Sequence, residues 1–203
     1  MSEVQAAKAR PDLLRWAIIC VALIGVAAVL YVIGAASFKP KEAANLADLR
    51  RGALAKLTVQ RAPAPTTPFT DASGKTVTLA DFEGQVVVMN LWATWCGPCK
   101  VEMPTLARLQ AAYAAQPVAV VPVSVDRKDD HDLAVAFIAA HPPLKLYRDP
   151  SYRMAFSLEP KAQGFPTTVI YDRHGVERAR LSGDADWSSK EARELVERLL
   201  REN

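Results

Sequence analysis

Three cysteines and three histidines in 203 residues are too few for most cysteine- or histidine-built architectures. So few cysteines exclude a multi-bridge disulfide scaffold. A zinc site needs about four ligands, and neither a second C-x-x-C nor a paired-histidine spacing around His131, His141 or His174 supplies them. Internal repeats are lacking, and the only low-complexity tract is a short proline-rich stretch. The folded part also lacks a basic excess: residues 1–68 carry nine Lys/Arg against four Asp/Glu, whereas residues 69–203 carry sixteen against eighteen. A nucleic-acid reader concentrates Lys and Arg on its folded domain, so that class is disfavoured and no nucleic-acid partner is expected.

What the chain does have is one long apolar run. From Trp16 to Phe38 there are 23 consecutive uncharged residues, enough at about 1.5 Å per helical residue to cover a hydrocarbon core of about 30 Å. One transmembrane anchor over 16–38 is expected. Gly34-Ala35-Ala36 could pass for a signal-peptide cleavage site, but the run exceeds the roughly 7 to 15 residues of a signal h-region. Lys8, Arg10 and Arg15 precede the run and Lys39, Lys41, Arg50 and Arg51 follow it, so the positive-inside rule alone does not orient it. A short tail is easily retained while a large domain translocates, which favours 1–15 as a cytoplasmic tail. Cys20, within the run, reads as a small apolar residue rather than a lipid-bearing one.

Beyond the anchor, Leu46, Leu49, Ala53 and Leu57 recur at helical spacing, which predicts an amphipathic helix over 42–57. Ala62 to Pro68 reads as a stiff extended linker, so 39–68 is expected to join the anchor to a domain spanning 69–203. A turn at 71–75 between Phe69 and Thr76-Val77-Thr78-Leu79 predicts a hairpin. Gln85 to Leu91 and Val118 to Val125 read as strands, with helices at about 99–115 and 130–140, an alternation that implies an α/β sheet. A short strand near 144–147, a helix near 151–157, a hairpin over 167–181 and a final helix from Ser188 or Ser189 follow, with Ser188 and Glu191 at capping-box spacing.

Trp92-Ala93-Thr94-Trp95-Cys96-Gly97-Pro98-Cys99 lies where a buried strand hands over to a helix. Unpaired N–H groups and the positive end of the helix dipole favour a thiolate there, making Cys96 the expected nucleophile. Cys99, one turn on, is placed to attack the mixed disulfide and release the substrate. A static bridge or half of a zinc site are the bland alternatives. Glu102 shares a helix face with Cys99 and, if desolvated, is suited to take its proton; a solvated helix charge is the alternative.

With Pro104 and Gly164-Phe165-Pro166-Thr167, the Trp-Cys-Gly-Pro-Cys segment resembles the thioredoxin superfamily. Asn90-Leu91-Trp92-Ala93-Thr94-Trp95 with Glu102-Met103-Pro104 is similar, more narrowly, to the membrane-anchored TlpA/ResA group of thiol-disulfide oxidoreductases. The resemblance implies a thioredoxin-like fold, a central mixed sheet flanked by helices, with an N-terminal β-hairpin and a central strand-helix insertion between Asp126 and Gly164. It implies that Pro166 follows a cis bond against the Cys96 sulfur, that the Phe165 backbone pairs with substrate, and that Trp95, Gly97 and Pro98 join the docking surface. Asn90 stands where thioredoxins have a proton-handling Asp, and the group has its active-site glutamate at the position of Glu102. The implied protein is a disulfide reductase without a cofactor, on the periplasmic face of the inner membrane, recharged by a transmembrane thiol reductant. Its implied clients are cysteines of cytochrome or copper-site assembly. Gly97-Pro98 is the thioredoxin dipeptide, for which the potential is near about −270 mV against about −120 mV for a strong periplasmic oxidant. A general oxidase or isomerase and a copper-handling chaperone are the rivals. Peroxidase activity is disfavoured because Thr94 stands two residues before Cys96, rather than three as in the peroxiredoxin motif.

Overall fold

The computed structural model describes Trp16, Ile19, residues 21–26, Val29 and residues 45–202. The described positions before residue 45 are helical and exposed, and among the described residues no helix is long and apolar enough to cross a membrane. The expected tail 1–15 and most of the expected anchor 16–38 lie outside the described residues.

From residue 45 the chain runs through β1 (Thr58–Pro63), β2 (Phe69–Asp71), β3 (Thr76–Val77), β4 (Val86–Trp92), α1 (Gly97–Ala112), β5 (Val118–Ser124), α2 (His131–Ala139), β6 (Tyr147–Arg148), α3 (Arg153–Ser157), β7 (Thr167–Tyr171), β8 (Val176–Ser182) and α4 (Lys190–Arg201). The strands form a single mixed sheet in the order β1-β8-β7-β4-β5-β6-β2-β3. β4 runs parallel to β5 and antiparallel to β7. All seven residues of β4 are buried, as a strand covered on both faces requires. Its side chains alternate between faces: Val86, Val88 and Trp92 join the core beneath α1 and α4, whereas Val87, Met89 and Leu91 join the core of the β2–β3 hairpin and α3. Asn90 therefore points to the α1 face. β7 places Thr168 directly across from it.

Two expectations for 39–68 are corrected. Residues 46–57 do not form one amphipathic helix but two single 3-10 turns, Ala47–Leu49 and Gly52–Leu54. Arg51 is extended and Gly52 sits at φ +51, which interrupts a helix. Leu46, Leu49, Leu54 and Leu57 are wholly buried in the main core, where each contributes about 1.5 to 3 kcal/mol of burial free energy. The proline-rich stretch is not a free linker either: Ala62 and Pro63 close β1, the edge strand on β8. A proline can occupy an edge strand because the missing N–H need not face a partner. The folded unit thus includes these residues and does not begin at Phe69.

The hairpin, the buried strands and the α/β alternation follow the sequence reading. Pro104 lies within α1 without ending it. Of the two expected starts of α4, Ser188 and Ser189, the cap is Ser189, whose hydroxyl accepts from the Ala192 N–H at 3.2 Å; the Ser188–Glu191 capping box does not form. Ser188 is taken up instead by Asp186, to which its N–H and hydroxyl both donate.

Candidate functional site

At the C-terminal end of β4 the chain turns into α1, and Cys96 is that helix's N-cap. Its extended backbone (φ −87, ψ 104) lets Sγ accept a hydrogen bond from the Cys99 N–H at 3.3 Å, so sulfur takes the place of the usual capping oxygen. Gly97 and Pro98 fill the first helical turn, and proline suits it because an N–H there has no intrahelical partner. Cys96 and Cys99 are joined as a disulfide with Cα atoms 5.3 Å apart. Cys96 keeps 5% of its surface exposed and Cys99 none. The two sulfurs are therefore inequivalent in access: an incoming group reaches Cys96 first.

Glu102 lies one turn after Cys99 and is 1% exposed, which rules out the solvated-charge alternative. Three donors converge on its carboxylate. Asn90 Nδ2 donates to Oε1 at 2.7 Å, while the Ala185 N–H and the Trp187 indole N–H donate to Oε2 at 3.2 and 3.1 Å. Burial pushes the carboxyl up from its ordinary 4.5 to about 7, against these three hydrogen bonds, which favour the anion. Asn90 Nδ2 also donates to Thr168 Oγ1 at 2.9 Å, fixing the amide between β7 and α1.

A second buried carboxylate, Asp126, braces the turn before Cys96. It accepts from the Thr94 N–H and the Ser124 hydroxyl, and from the Thr94 hydroxyl at 2.8 Å. The Phe165–Pro166 bond is cis, with Pro166 buried and its carbonyl accepting from the Gly183 N–H at 2.8 Å. Phe165 meets Trp95 edge-on at 6.0 Å. Trp95 is 59% exposed while Trp92 is fully buried, and Gly97 and Pro98 are exposed beside it. A groove of about 440 Å³ lined by Thr94, Trp95, Lys100, Asp130, Leu133 and Phe137 opens next to the tryptophan. Among the described residues no group of three or more His, Cys, Asp and Glu is arranged to hold a metal ion.

The fold thus gathers Cys96, Cys99, Glu102 and Asn90 with Trp187, and sets Trp95 against Phe165. Trp187 and Ala185 were not anticipated from the sequence. They stand more than eighty positions from Glu102 in a loop with no motif of its own, and no local signal marks them.

A family model described as "AhpC/TSA family" matches residues 59–179. Thiol-disulfide oxidoreductase ResA of Oceanobacillus iheyensis is 53% identical over 51 residues, covering 25% of this chain but only 27% of that one. ResA of Geobacillus kaustophilus is 31% identical over 124 residues, covering 59% and 67% of the two chains. Among solved structures, a Chlorobium tepidum protein described as a thiol:disulfide interchange protein DsbE superposes with a TM-score of 0.61 at 28% identity, over 70% of this chain and 99% of that one. The family model covers more than half of the sequence, from β1 into β8 and through the Cys96–Cys99 turn, and on that extent the chain belongs to the AhpC/TSA family, with a thioredoxin-like fold.

Proposed function

We propose that this protein is a membrane-anchored protein-disulfide reductase, held by residues 16–38 with its folded domain on the periplasmic or outer face of the membrane. The carrying observation is the sulfur-capped start of α1, with buried Glu102 one turn behind Cys99. Reduced Cys96 would keep the Cys99 N–H and the helix terminus as stabilisers of its thiolate. That thiolate attacks one sulfur of a client disulfide; an S–S bond to the client forms, the client's own S–S bond breaks, and its second sulfur leaves as a thiolate that takes a proton from solvent. Cys99 then attacks Cys96 Sγ, giving its proton to Glu102 as the attack proceeds. The Cys96–Cys99 bond forms, the mixed disulfide breaks, and the client's remaining sulfur leaves as a thiolate that is protonated from Glu102 or solvent, so the client ends as a dithiol with two electrons gained. The structure corresponds to the product state of this cycle.

The reading of the surface follows from the same geometry. Trp95, Gly97 and Pro98 flank Cys96 along the chain and, with Phe165 against Trp95, form the client platform, with the Phe165 backbone beside cis-Pro166 pairing with an extended client segment. The relatives' names, thiol-disulfide oxidoreductase and thiol:disulfide interchange protein, agree with protein thiols as substrates. The clients are proposed to be cysteines reduced before haem attachment or copper insertion, the donor a transmembrane thiol reductant, and the dithiol itself the only redox group needed. A peroxidase reading, which the family's breadth invites, is disfavoured because the Thr94 hydroxyl is committed to Asp126.

The reduction potential of the full chain in detergent, equilibrated against glutathione or dithiothreitol at pH 7 with Cys96→Ser as control, tests the direction of the reaction. A value at or below about −220 mV is expected, and one near about −120 mV would replace the reductase with an oxidant.

A further inference from the structure

The Glu102 carboxylate is held from two sides by unlike means. From β4 it receives the Asn90 amide. From the loop joining β8 to α4 it receives both donors to Oε2, the Ala185 N–H and the Trp187 indole. The same loop is tied to α1 a second time: the Trp187 N–H donates to Thr105 Oγ1 at 2.9 Å, and the Thr105 hydroxyl donates to the Glu102 carbonyl at 2.7 Å. Trp187 is 1% exposed, so no water competes for its indole N–H, and hydrogen bonds to a charge are strongest in such surroundings. This loop also carries Asp184, whose negative charge opposes ionisation of Glu102.

We infer that the β8–α4 loop sets the proton affinity of Glu102, with Trp187 as a positioning residue that favours the carboxylate and Asp184 as the charge that disfavours it. The inference rests on the reading of Glu102 as proton acceptor for Cys99. Among the described residues, the polar and charged groups next to Glu102 besides its loop donors are Cys99 one turn before it, Asn90 from β4, and Asp184, Asp186 and Lys56 across a shared cavity. The last three bound a cavity of about 420 Å³ that Glu102 and Thr105 also line. Lys56 lies over the loop, its Nζ 3.7 Å from where a side chain on Gly183 would begin. It lines the same cavity as Asp184, and both are exposed, so solvent screening weakens each. The cavity lies on the loop side of Glu102, with none of Trp95, Gly97, Pro98 and Phe165 in its lining. A client seated over Cys96 would leave it open.

Opposite substitutions in one loop should therefore move one titration in opposite directions. In the oxidised full chain labelled with 13C-glutamate, the Cδ resonance absent from Glu102→Gln reports the midpoint. Trp187→Phe keeps an aromatic ring and removes the donor, and should raise the midpoint by about one unit. Asp184→Asn, at an exposed position, should lower it. The pH profile of mixed-disulfide resolution by the reduced chain should shift the same way, which a loss of packing alone would not produce. An Asp184→Asn midpoint that is unchanged or raised overturns the inference even if Trp187→Phe does not fold. So does a Trp187→Phe midpoint that fails to rise. If both midpoints move as stated but Glu102→Gln resolves mixed disulfides with the rate and pH profile of the parent, the loop's control of Glu102 stands and the acceptor role falls.

Discussion

Replacing Glu102 with Gln should stabilise the oxidised protein at neutral pH, although it removes a residue held by three hydrogen bonds. The folded carboxyl binds its proton up to about pH 7, whereas in the unfolded chain it ionises near 4.5. Below 4.5 both states are protonated and the group's full contribution is present. As pH rises the unfolded state ionises first, so folding is progressively disfavoured until the folded carboxyl also ionises, and the contribution is lost by about pH 8. At about 1.4 kcal/mol per unit, the gap between the two values amounts to about 3 kcal/mol as an upper figure. Gln mimics the neutral acid and does not titrate. Asn90 can turn its nearly isosteric amide to accept from Gln, provided the Thr168 hydroxyl, which now accepts from Nδ2, turns to donate to the same oxygen. Urea unfolding of the oxidised full chain and of Glu102→Gln in the same detergent, at pH 5 and pH 8, gives the difference directly, with all other titrating groups cancelling. The variant should gain on the parent by about 2.5 kcal/mol between the two pH values, because the unfolded carboxyl is already mostly ionised at pH 5, or about 5 to 10 °C in Tm for a unit of this size. Parallel pH dependences would refute the raised proton affinity, and with it the fitness of Glu102 for taking a proton from a thiol near neutrality.

Other perturbations test the frame around the site. Leu49→Ala should cost about 2 to 5 kcal/mol in urea unfolding, because Leu49 is wholly buried; a negligible change would return residues 45–57 to the role of a tether. Arg180→Met should cost about 3 to 5 kcal/mol by leaving Glu177 buried without its guanidinium, and joint replacement of both should recover most of the loss. Trp95→Ala should lower kcat/KM toward a protein disulfide by about tenfold, as for an exposed aromatic anchor, while reduction of the Cys96–Cys99 bond by dithiothreitol proceeds unchanged; equal loss in both assays would remove Trp95 from the docking surface.

Local chemistry makes much of the site legible in the sequence. The apolar run now seen as β4, the turn at Cys96 and the helical spacing of Cys99 and Glu102 are short-range properties, and helix periodicity alone brings the last two to one face. The hairpin at 69–77 and the buried strands were readable for the same reason: hydrophobic period and turn residues act over a few positions. Where the reading went astray, a local pattern competed with long-range burial. Leu46, Leu49 and Leu57 have helical spacing, but Gly52 breaks the helix and the core takes the leucines in two separate turns. Ala62 and Pro63 look like linker until β8 offers an edge to pair with.

The placement of the Cys96–Cys99 pair at the start of a helix was thus dictated within one stretch of chain, because strand period, turn residues and helix spacing are short-range properties. The working state of Glu102 was not. Whether that carboxyl is a solvated charge or a buried acid depends on Asn90, Ala185 and Trp187 closing around it from β4 and the β8–α4 loop. Desolvation and hydrogen bonding are properties of the surroundings, and only the packed fold supplies surroundings.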